Sequence, residues 1–191
     1  MSKKLLVAVD VQNDFVEGGA LRYGYPYFSN VGKTLAFIFD WIVSKKGLLV
    51  ATKDTHDGAA YSSSLEGTKL PVPHCIKGTD GWQFVEPKDY GAPLFSLNDS
   101  ADIVFKKPTF GTFMIKDYIE QFEKYECESI DEIHFVGYDL SICILSNAVI
   151  LRAAFPNKRI VVHKELCGDV DESAFLAACT VLRNQQIDIE D

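Results

Sequence analysis

Leu5-Leu6-Val7-Ala8-Val9-Asp10 runs five apolar residues together and stops on a carboxylate. A strand with one wet face would alternate. A run that is apolar at every position suits a strand covered on both faces, as in a parallel sheet. The same kind of run returns along the chain. Leu48 to Ala51, Ile103-Val104-Phe105, Ile133 to Val136 and Ile160-Val161-Val162 each read as a short buried strand, and Ile187-Asp188-Ile189 as a short final one. Between them lie helical patterns. Val31, Leu35, Ile38 and Ile42 repeat at helix spacing, with Gly47 as the expected stop. Residues 115–125, Ser141 to Ala154 and 172–184 also read as helices. Pro156-Asn157 closes the second of these three, and Asp171 is placed to cap the last. Strands alternating with helices predict an α/β fold: a doubly wound, mostly parallel sheet flanked by helices in three α/β/α layers.

One stretch departs from that rhythm. Residues 54–101 show no sustained periodicity and are rich in Gly, Pro, Ser and Asp. A compact domain seldom keeps so long an irregular segment without a use for it, so the expectation is a site-forming loop.

Length and composition set the outer limits. The 191 residues predict one domain over residues 1–191. The net charge of -8 argues against nucleic acid or an anionic membrane as partner, since both need a basic face. Lys3 and Lys4 precede the first apolar run, but five residues ending at Asp10 are too short and too acidic for a signal peptide. No run approaches the ~18 apolar residues of a membrane span. A cytoplasmic protein is expected, with its five cysteines as reduced thiols: their number is odd and no C-x-x-C pair occurs.

In an open parallel sheet, ligands bind at the carboxyl ends of the strands. Asp10 ends the first strand, Asp54 follows the second, Lys106 and Lys107 end the third, and Cys143 lies beyond the fourth in the first turn of a predicted helix. Four strands thus deliver complementary groups to one sheet edge. The partial positive charge of a helix N-terminus favours a thiolate, and its free N–H groups can hold an oxyanion, although a packed core thiol is the commoner fate of a cysteine. Asp10 is either a loop cap or a base. Successive residues of an extended segment face opposite ways, so only one of Lys106 and Lys107 can point at Asp10. Asp54-Thr55-His56 is a D-x-H whose side chains project to one side, and His74 can return through the loop to join them. A carboxylate with two imidazoles suits Zn²⁺, Fe²⁺ or Mn²⁺. His134 and His163 lie in or beside strands and read as structural.

These residues also carry a resemblance. Asp10-Val11-Gln12-Asn13-Asp14-Phe15 resembles the D-x-Q-N-D-F opening of the isochorismatase-like cysteine hydrolases, the superfamily that contains nicotinamidases. Pro73-His74-Cys75-Ile76-Lys77-Gly78-Thr79-Asp80-Gly81 is similar to their P-H-C-x-x-G-T-x-G loop. Lys107-Pro108-Thr109-Phe110-Gly111-Thr112-Phe113 resembles their K-P-x-Y-S-A-F segment, and Gly137 to Cys143 their G-x-x-T-D-x-C turn. The matches keep the family order over roughly residues 5 to 185. The resemblance implies an amidase working through a cysteine thioester, with nicotinamide to nicotinate and ammonia as the first expectation, Cys143 as nucleophile, Asp10 as general base and Lys107, rather than Lys106, as the group that stabilises charge near both. It implies a cis peptide between Tyr138 and Asp139, and an oxyanion hole from the N–H groups of Asp139 and Cys143. It further implies a divalent metal, zinc first, held by Asp54, His56 and His74. Phe15 and Tyr138 are expected to contact a small amide substrate. Family members often form homo-oligomers, so an oligomer is expected here too.

The chain departs from the family pattern in the nucleophile turn. Tyr138-Asp139-Leu140-Ser141 stands where small residues followed by Thr-Asp are usual. A charged Asp139 beside the oxyanion hole would weaken oxyanion binding unless it points away or is paired. Asp57 follows His56 in place of a common proline, and Ala174 stands where relatives often carry histidine. These departures keep two alternatives to nicotinamide hydrolysis open: a related amidase for a carbamoyl or ureido compound, and a non-catalytic member of the fold.

Overall fold

The computed structural model describes residues 3–22, 24, 25 and 30–191. One sheet is built from β1 (Lys3–Val9), β2 (Leu48–Asp54), β3 (Ile103–Lys107), β4 (Ile130–Gly137), β5 (Arg159–Cys167) and β6 (Asp188–Glu190). The strand order is β3-β2-β1-β4-β5-β6, and every pairing is parallel. The chain winds outward from β1 to β3, returns to lay β4 on the other side of β1, and winds outward again. Strand order therefore reverses between β1 and β4, where a doubly wound sheet opens a crevice. The register holds the strand ends level there. Val9 lies opposite Thr52 on one side and Gly137 on the other, and Asp54 lies opposite Lys107.

The uninterrupted apolar run of β1 follows from its position. Leu5 through Val9 have no exposed surface. Leu5, Val7 and Val9 pack with residues of α4 (Met114–Glu126), α5 (Leu145–Ala154) and α6 (Glu172–Asn184). Leu6 and Ala8 face the opposite layer, with Val31, Leu35 and Ile38 of α1 (Asn30–Val43) and with Phe84, Val85 and Leu97. Each large side chain so buried contributes about 1.5–3 kcal/mol of transfer free energy. No alternating sequence could supply two apolar faces at once.

Several local expectations change in detail. Gly47 does not stop α1. Lys45 takes the left-handed conformation there, at φ 49°. Gly47 instead lies against β1, where a Cβ would come within 2.1 Å of the Lys4 carbonyl oxygen. The helix expected from Ser141 begins as a π-helical turn, Leu140–Ile144, and becomes α-helical only from Leu145. Asp171 caps α6 as expected, accepting the Ala174 N–H at 2.9 Å. His134 and His163 stack on each other with Nδ1 and Nε2 3.0 Å apart, against Trp41 and Phe37 on the α1 side. Residues 54–101 hold two short helices, α2 (Leu65–Lys69) and α3 (Leu97–Ser100), among turns. Among the described residues no helix is long and apolar enough to cross a membrane.

Candidate active site

Three strand ends bring a sulfur, a carboxylate and an ammonium together. Asp10 follows β1 and has a positive φ of 48°, a conformation that Asp tolerates better than most residues. Its Oδ1 accepts the Thr52 hydroxyl at 2.7 Å. Lys107, the last residue of β3, has no exposed side-chain surface, and its Nζ sits 2.6 Å from Asp10 Oδ2. Strand alternation turns the adjacent Lys106 outward, where it is exposed. Lys107 Nζ also donates to Cys143 Sγ at 3.5 Å. The Asp10–Lys107 contact is a buried ion pair.

Ionisation in this cluster is governed by burial. Burial lifts the Asp10 carboxyl above the ordinary range; Lys107 opposes that lift and Asp54 adds to it. Burial alone would lower Lys107, but Asp10, Cys143 and Asp54 outweigh it and hold the ammonium firmly protonated. Burial also pushes the Cys143 thiol well up, with Lys107 pulling the other way. The resting sulfur is therefore a thiol. The helix start does not produce a standing thiolate, contrary to what position alone suggests, because the sulfur is almost sealed from water.

The turn that carries Cys143 is held by its neighbours. Gly137 has φ 114°, and a Cβ there would meet the Val9 carbonyl oxygen at 2.1 Å, so only glycine lets β4 leave the sheet beside β1. The Tyr138–Asp139 peptide is cis. Asn147 donates to the carbonyls of Cys143 at 2.8 Å and Phe110 at 3.2 Å, and accepts the Thr112 N–H at 3.0 Å. It ties the nucleophile turn to the segment after Lys107.

Beside this cluster lies a second one. Ligand atoms of Asp54, His56, Glu66 and His74 all fall within 4.8 Å of one another. His56 Nε2 is 3.0 Å from Asp54 Oδ2 and 3.6 Å from Glu66 Oε1; His74 Nε2 is 3.3 Å and 3.4 Å from the same atoms. The Val72 carbonyl at 2.9 Å and the Tyr61 hydroxyl at 3.2 Å hold His74 Nδ1, which turns Nε2 inward. Burial would raise Asp54, but His56, His74 and Lys107 overcome it and hold the carboxyl below its usual range. Burial would lower His74, but Asp54 and Glu66 raise it to about 10. Two imidazoles and two carboxylates with converging lone pairs fit a small divalent cation.

A cavity of about 240 Å³ opens over both clusters, lined by Phe15, Asp54, His74, Phe110, Asp139 and Cys143 among others. A larger, apolar cavity of about 630 Å³ adjoins it across Glu66, Leu70, Phe110 and Ile142. The family model of the isochorismatase domain matches residues 4–191.

The chain belongs to the isochorismatase family.

Within it, the nicotinamidase/pyrazinamidase of Mycobacterium tuberculosis is 36% identical over 94 residues, which is 47% of this chain and 47% of that protein. The match thus spans about half the length of that curated relative. The solved nicotinamidase of Bacillus subtilis superposes with a TM-score of 0.76 at 22% identity, covering 99% of each chain. The Pyrococcus horikoshii pyrazinamidase, solved in complex with zinc, gives 0.69 at 21% identity over 98% of each chain.

In this isochorismatase-family chain, the motif residues beyond Asp10 prove to be clamps for the loop. Gln12 receives the Asp54 N–H at 2.7 Å and donates to the carbonyls of Asp54 at 3.0 Å and Trp82 at 2.9 Å. Asn13 donates to the Asp80 carbonyl at 3.0 Å, and Asp14 accepts the N–H groups of Cys75 at 2.7 Å and Ala20 at 3.1 Å. These bonds anchor the start and the middle of the irregular stretch on either side of His74, which lines the cavity. The structure brings together Asp10, Lys107 and Cys143, and separately Asp54, His56 and His74. It places Phe15 and Asp139 on the cavity wall. It does not bring Tyr138 there: that side chain is 2% exposed and packs in the α1 layer, with its hydroxyl against Thr34. Just past β4, the turn buries Tyr138 in the α1 layer while Asp139 reaches the cavity, which corrects the expected substrate contact. Glu66 and Asn147 were not expected. Both sit in helices whose sequence marks neither as special.

Proposed function

We propose that this chain is a cysteine amidohydrolase acting on a small amide, with nicotinamide the leading substrate. The observation that supports it most is the single Lys107 ammonium touching both Asp10 and Cys143, a residue that lines a partly apolar cavity. The relatives named nicotinamidase supply the substrate suggestion.

In this reading Asp10 takes the Cys143 proton as sulfur attacks the amide carbonyl carbon. The new C–S bond forms as the carbonyl electron pair moves to oxygen, and the N–H groups of Asp139 and Cys143 hold that oxyanion. Asp10 returns the proton to nitrogen as the C–N bond breaks, and ammonia leaves. Water then attacks the thioester, giving one proton to Asp10; as the C–S bond breaks, the sulfur takes that proton back from Asp10 to restore the thiol, and the carboxylic acid product departs and loses its own proton to solvent. Lys107 keeps Asp10 ionised beforehand and offsets negative charge as it moves between sulfur and oxygen. A raised carboxyl pKa suits the first transfer, because a base closer in pKa to the thiol takes its proton more readily.

Asp54, His56, His74 and Glu66 would hold a divalent metal, zinc first and iron or manganese as alternatives. When bound, it would supply a Lewis acid for a lone pair of the substrate, such as a ring nitrogen. Glu66→Ala is expected to weaken metal binding by more than tenfold. Tyr61→Phe, which frees His74 Nδ1 from one partner, is expected to cost roughly tenfold. Chelator competition followed by metal analysis reads both, and unchanged affinity in Glu66→Ala would remove it from the ligand set.

Asp139 on the cavity wall favours a second substrate, a carbamoyl or ureido amide whose additional N–H could meet that carboxyl. An ammonia-release screen of nicotinamide, its ring analogues and small ureido compounds separates the two. Nicotinamide is expected to give the highest kcat/KM, and a ureido compound ahead by a wide margin would transfer the assignment.

A further inference from the structure

Asp139 and Asp169 meet around one serine. Asp139 is 5% exposed and Asp169 is fully buried. The Ser141 N–H donates to Asp169 Oδ2 at 2.8 Å and is shared with Asp139 Oδ1 at 3.2 Å. The Ser141 hydroxyl lies 2.9 Å from Asp169 Oδ1 and 3.3 Å from Asp139 Oδ1. Val170 N–H adds a third donor to Asp169 at 2.7 Å.

The hydrogens do not suffice for two carboxylates. A hydroxyl has one hydrogen, yet Ser141 Oγ touches a carboxyl oxygen of each aspartate. If it donates to Asp169, its contact with Asp139 is attractive only when Asp139 carries a proton of its own. Asp169 collects three donors and Asp139 half of one, so the negative charge belongs on Asp169 and the proton on Asp139. Like charges in contact inside a protein cannot both ionise without a cation, and the groups that dominate Asp139's ionisation, which are burial, Asp169 and Ser141, include none. Burial and Asp169 push the Asp139 carboxyl up to about 9, in agreement with the hydrogen count. Among the described residues, the other titratable groups around the pair include Cys167 at the end of β5, Cys179 of α6, Tyr25 paired to the Asp169 backbone, Cys143 of the same turn and Arg22 on the cavity wall.

We infer that Asp139 and Asp169 share one proton across Ser141, and that this acid pair positions the nucleophile turn: its neutral member keeps a second negative charge away from Cys143 and the oxyanion. The inference rests on the reading of Cys143 as a nucleophile. It makes Asp139 a positioning residue through its side chain, distinct from any role of its N–H. Losing the shared proton to solvent places two charges in contact beneath the turn and one of them beside the developing oxyanion. Turnover then falls on the alkaline side.

Two measurements test it. The first needs no activity. In the pH-dependent infrared spectrum of the full chain, a carboxylic-acid C=O band is expected to persist at neutral pH, disappear in the alkaline range, and be missing from Asp139→Asn. The second is the pH profile of kcat/KM for nicotinamide. Asp139→Asn, which cannot ionise, is expected to move the alkaline midpoint up by at least one pH unit, whatever its maximal rate. Asp169→Asn is expected to move it down, because Asp139 then becomes the residue that carries charge. A purely structural role would scale the profile without moving it. No acid band in the wild type at neutral pH overturns the shared proton, even where no amide is turned over. A band without midpoint shifts in either variant overturns its link to the reaction. Absence of turnover with every amide overturns the hydrolase reading alone, and the infrared result still decides the proton. If Asp139→Asn does not fold, the wild-type spectrum and Asp169→Asn carry the test.

Discussion

Cys143→Ala is expected to abolish ammonia release from nicotinamide, lowering kcat by about 10⁴-fold or more. The size follows from the mechanism. In the proposed mechanism Asp10 and Lys107 act through that sulfur, which both are held beside. Their contribution is lost with it, so adding Asp10→Asn to Cys143→Ala should cost almost nothing further. The fold should persist, because the change removes one sulfur from a packed site and leaves the Asn147 bond to the residue 143 carbonyl in place. Cys127→Ser, at an exposed thiol beyond α4, should leave the rate unchanged. Continuous ammonia assay with circular dichroism as a folding control checks all four. Substantial residual turnover in Cys143→Ala would overturn the nucleophile assignment.

Lys107→Met is expected to destabilise the chain by about 3–5 kcal/mol near neutral pH, since it strands a fully buried carboxylate without its cation. The loss should depend on pH. Without its ammonium, Asp10 has a folded pKa raised still further above its unfolded value near 3.9. The variant therefore binds more protons folded than unfolded. Its stability is greatest below the unfolded pKa and falls as pH rises toward the folded one. The gap to the wild type should widen between pH 4 and 7. Asp10→Asn/Lys107→Met, which removes both charges, should recover most of the loss, because a neutral pair of similar volume pays no desolvation cost. Urea midpoints at several pH values measure this. A pH-independent gap, or no recovery in the double variant, would contradict a buried ion pair as the reason for the cost.

Much of this architecture is legible in the residues themselves. Leu5 to Val9 announces a doubly covered strand, and five further apolar runs order the sheet. The placement of Asp10, Asp54, Lys107 and Cys143 at strand ends needs only the rule that parallel strands open their sites at their carboxyl termini. What the sequence conceals has a common cause, which is contact between distant segments. Glu66 lies in a five-residue helix with no periodicity to mark it, and joins His56 and His74 only after Gln12, Asn13 and Asp14 have clamped the loop. Asp139 and Asp169 are thirty positions apart and meet because Gly137 pairs with Cys167 across β4 and β5. Tyr138 shows the reverse limit: a motif position suggests a substrate contact, and the turn after β4 buries the ring in the α1 layer. Gly47 marks a helix end by composition, yet its place is decided by the approach of the Lys4 carbonyl. In the isochorismatase family pattern, the departures at Asp139 and Ser141 look damaging one by one. Together with Asp169 they make a satisfied cluster.

The most direct test of the central claim is site-resolved alkylation. Iodoacetamide is added to the active protein near neutral pH, and residual ammonia release is compared with label on each cysteine peptide by mass spectrometry. Activity is expected to fall in proportion to label on Cys143 and not on Cys127, with nicotinamide protecting Cys143 and Asp10→Asn slowing its modification. Full labelling of Cys143 with undiminished hydrolysis would contradict the account.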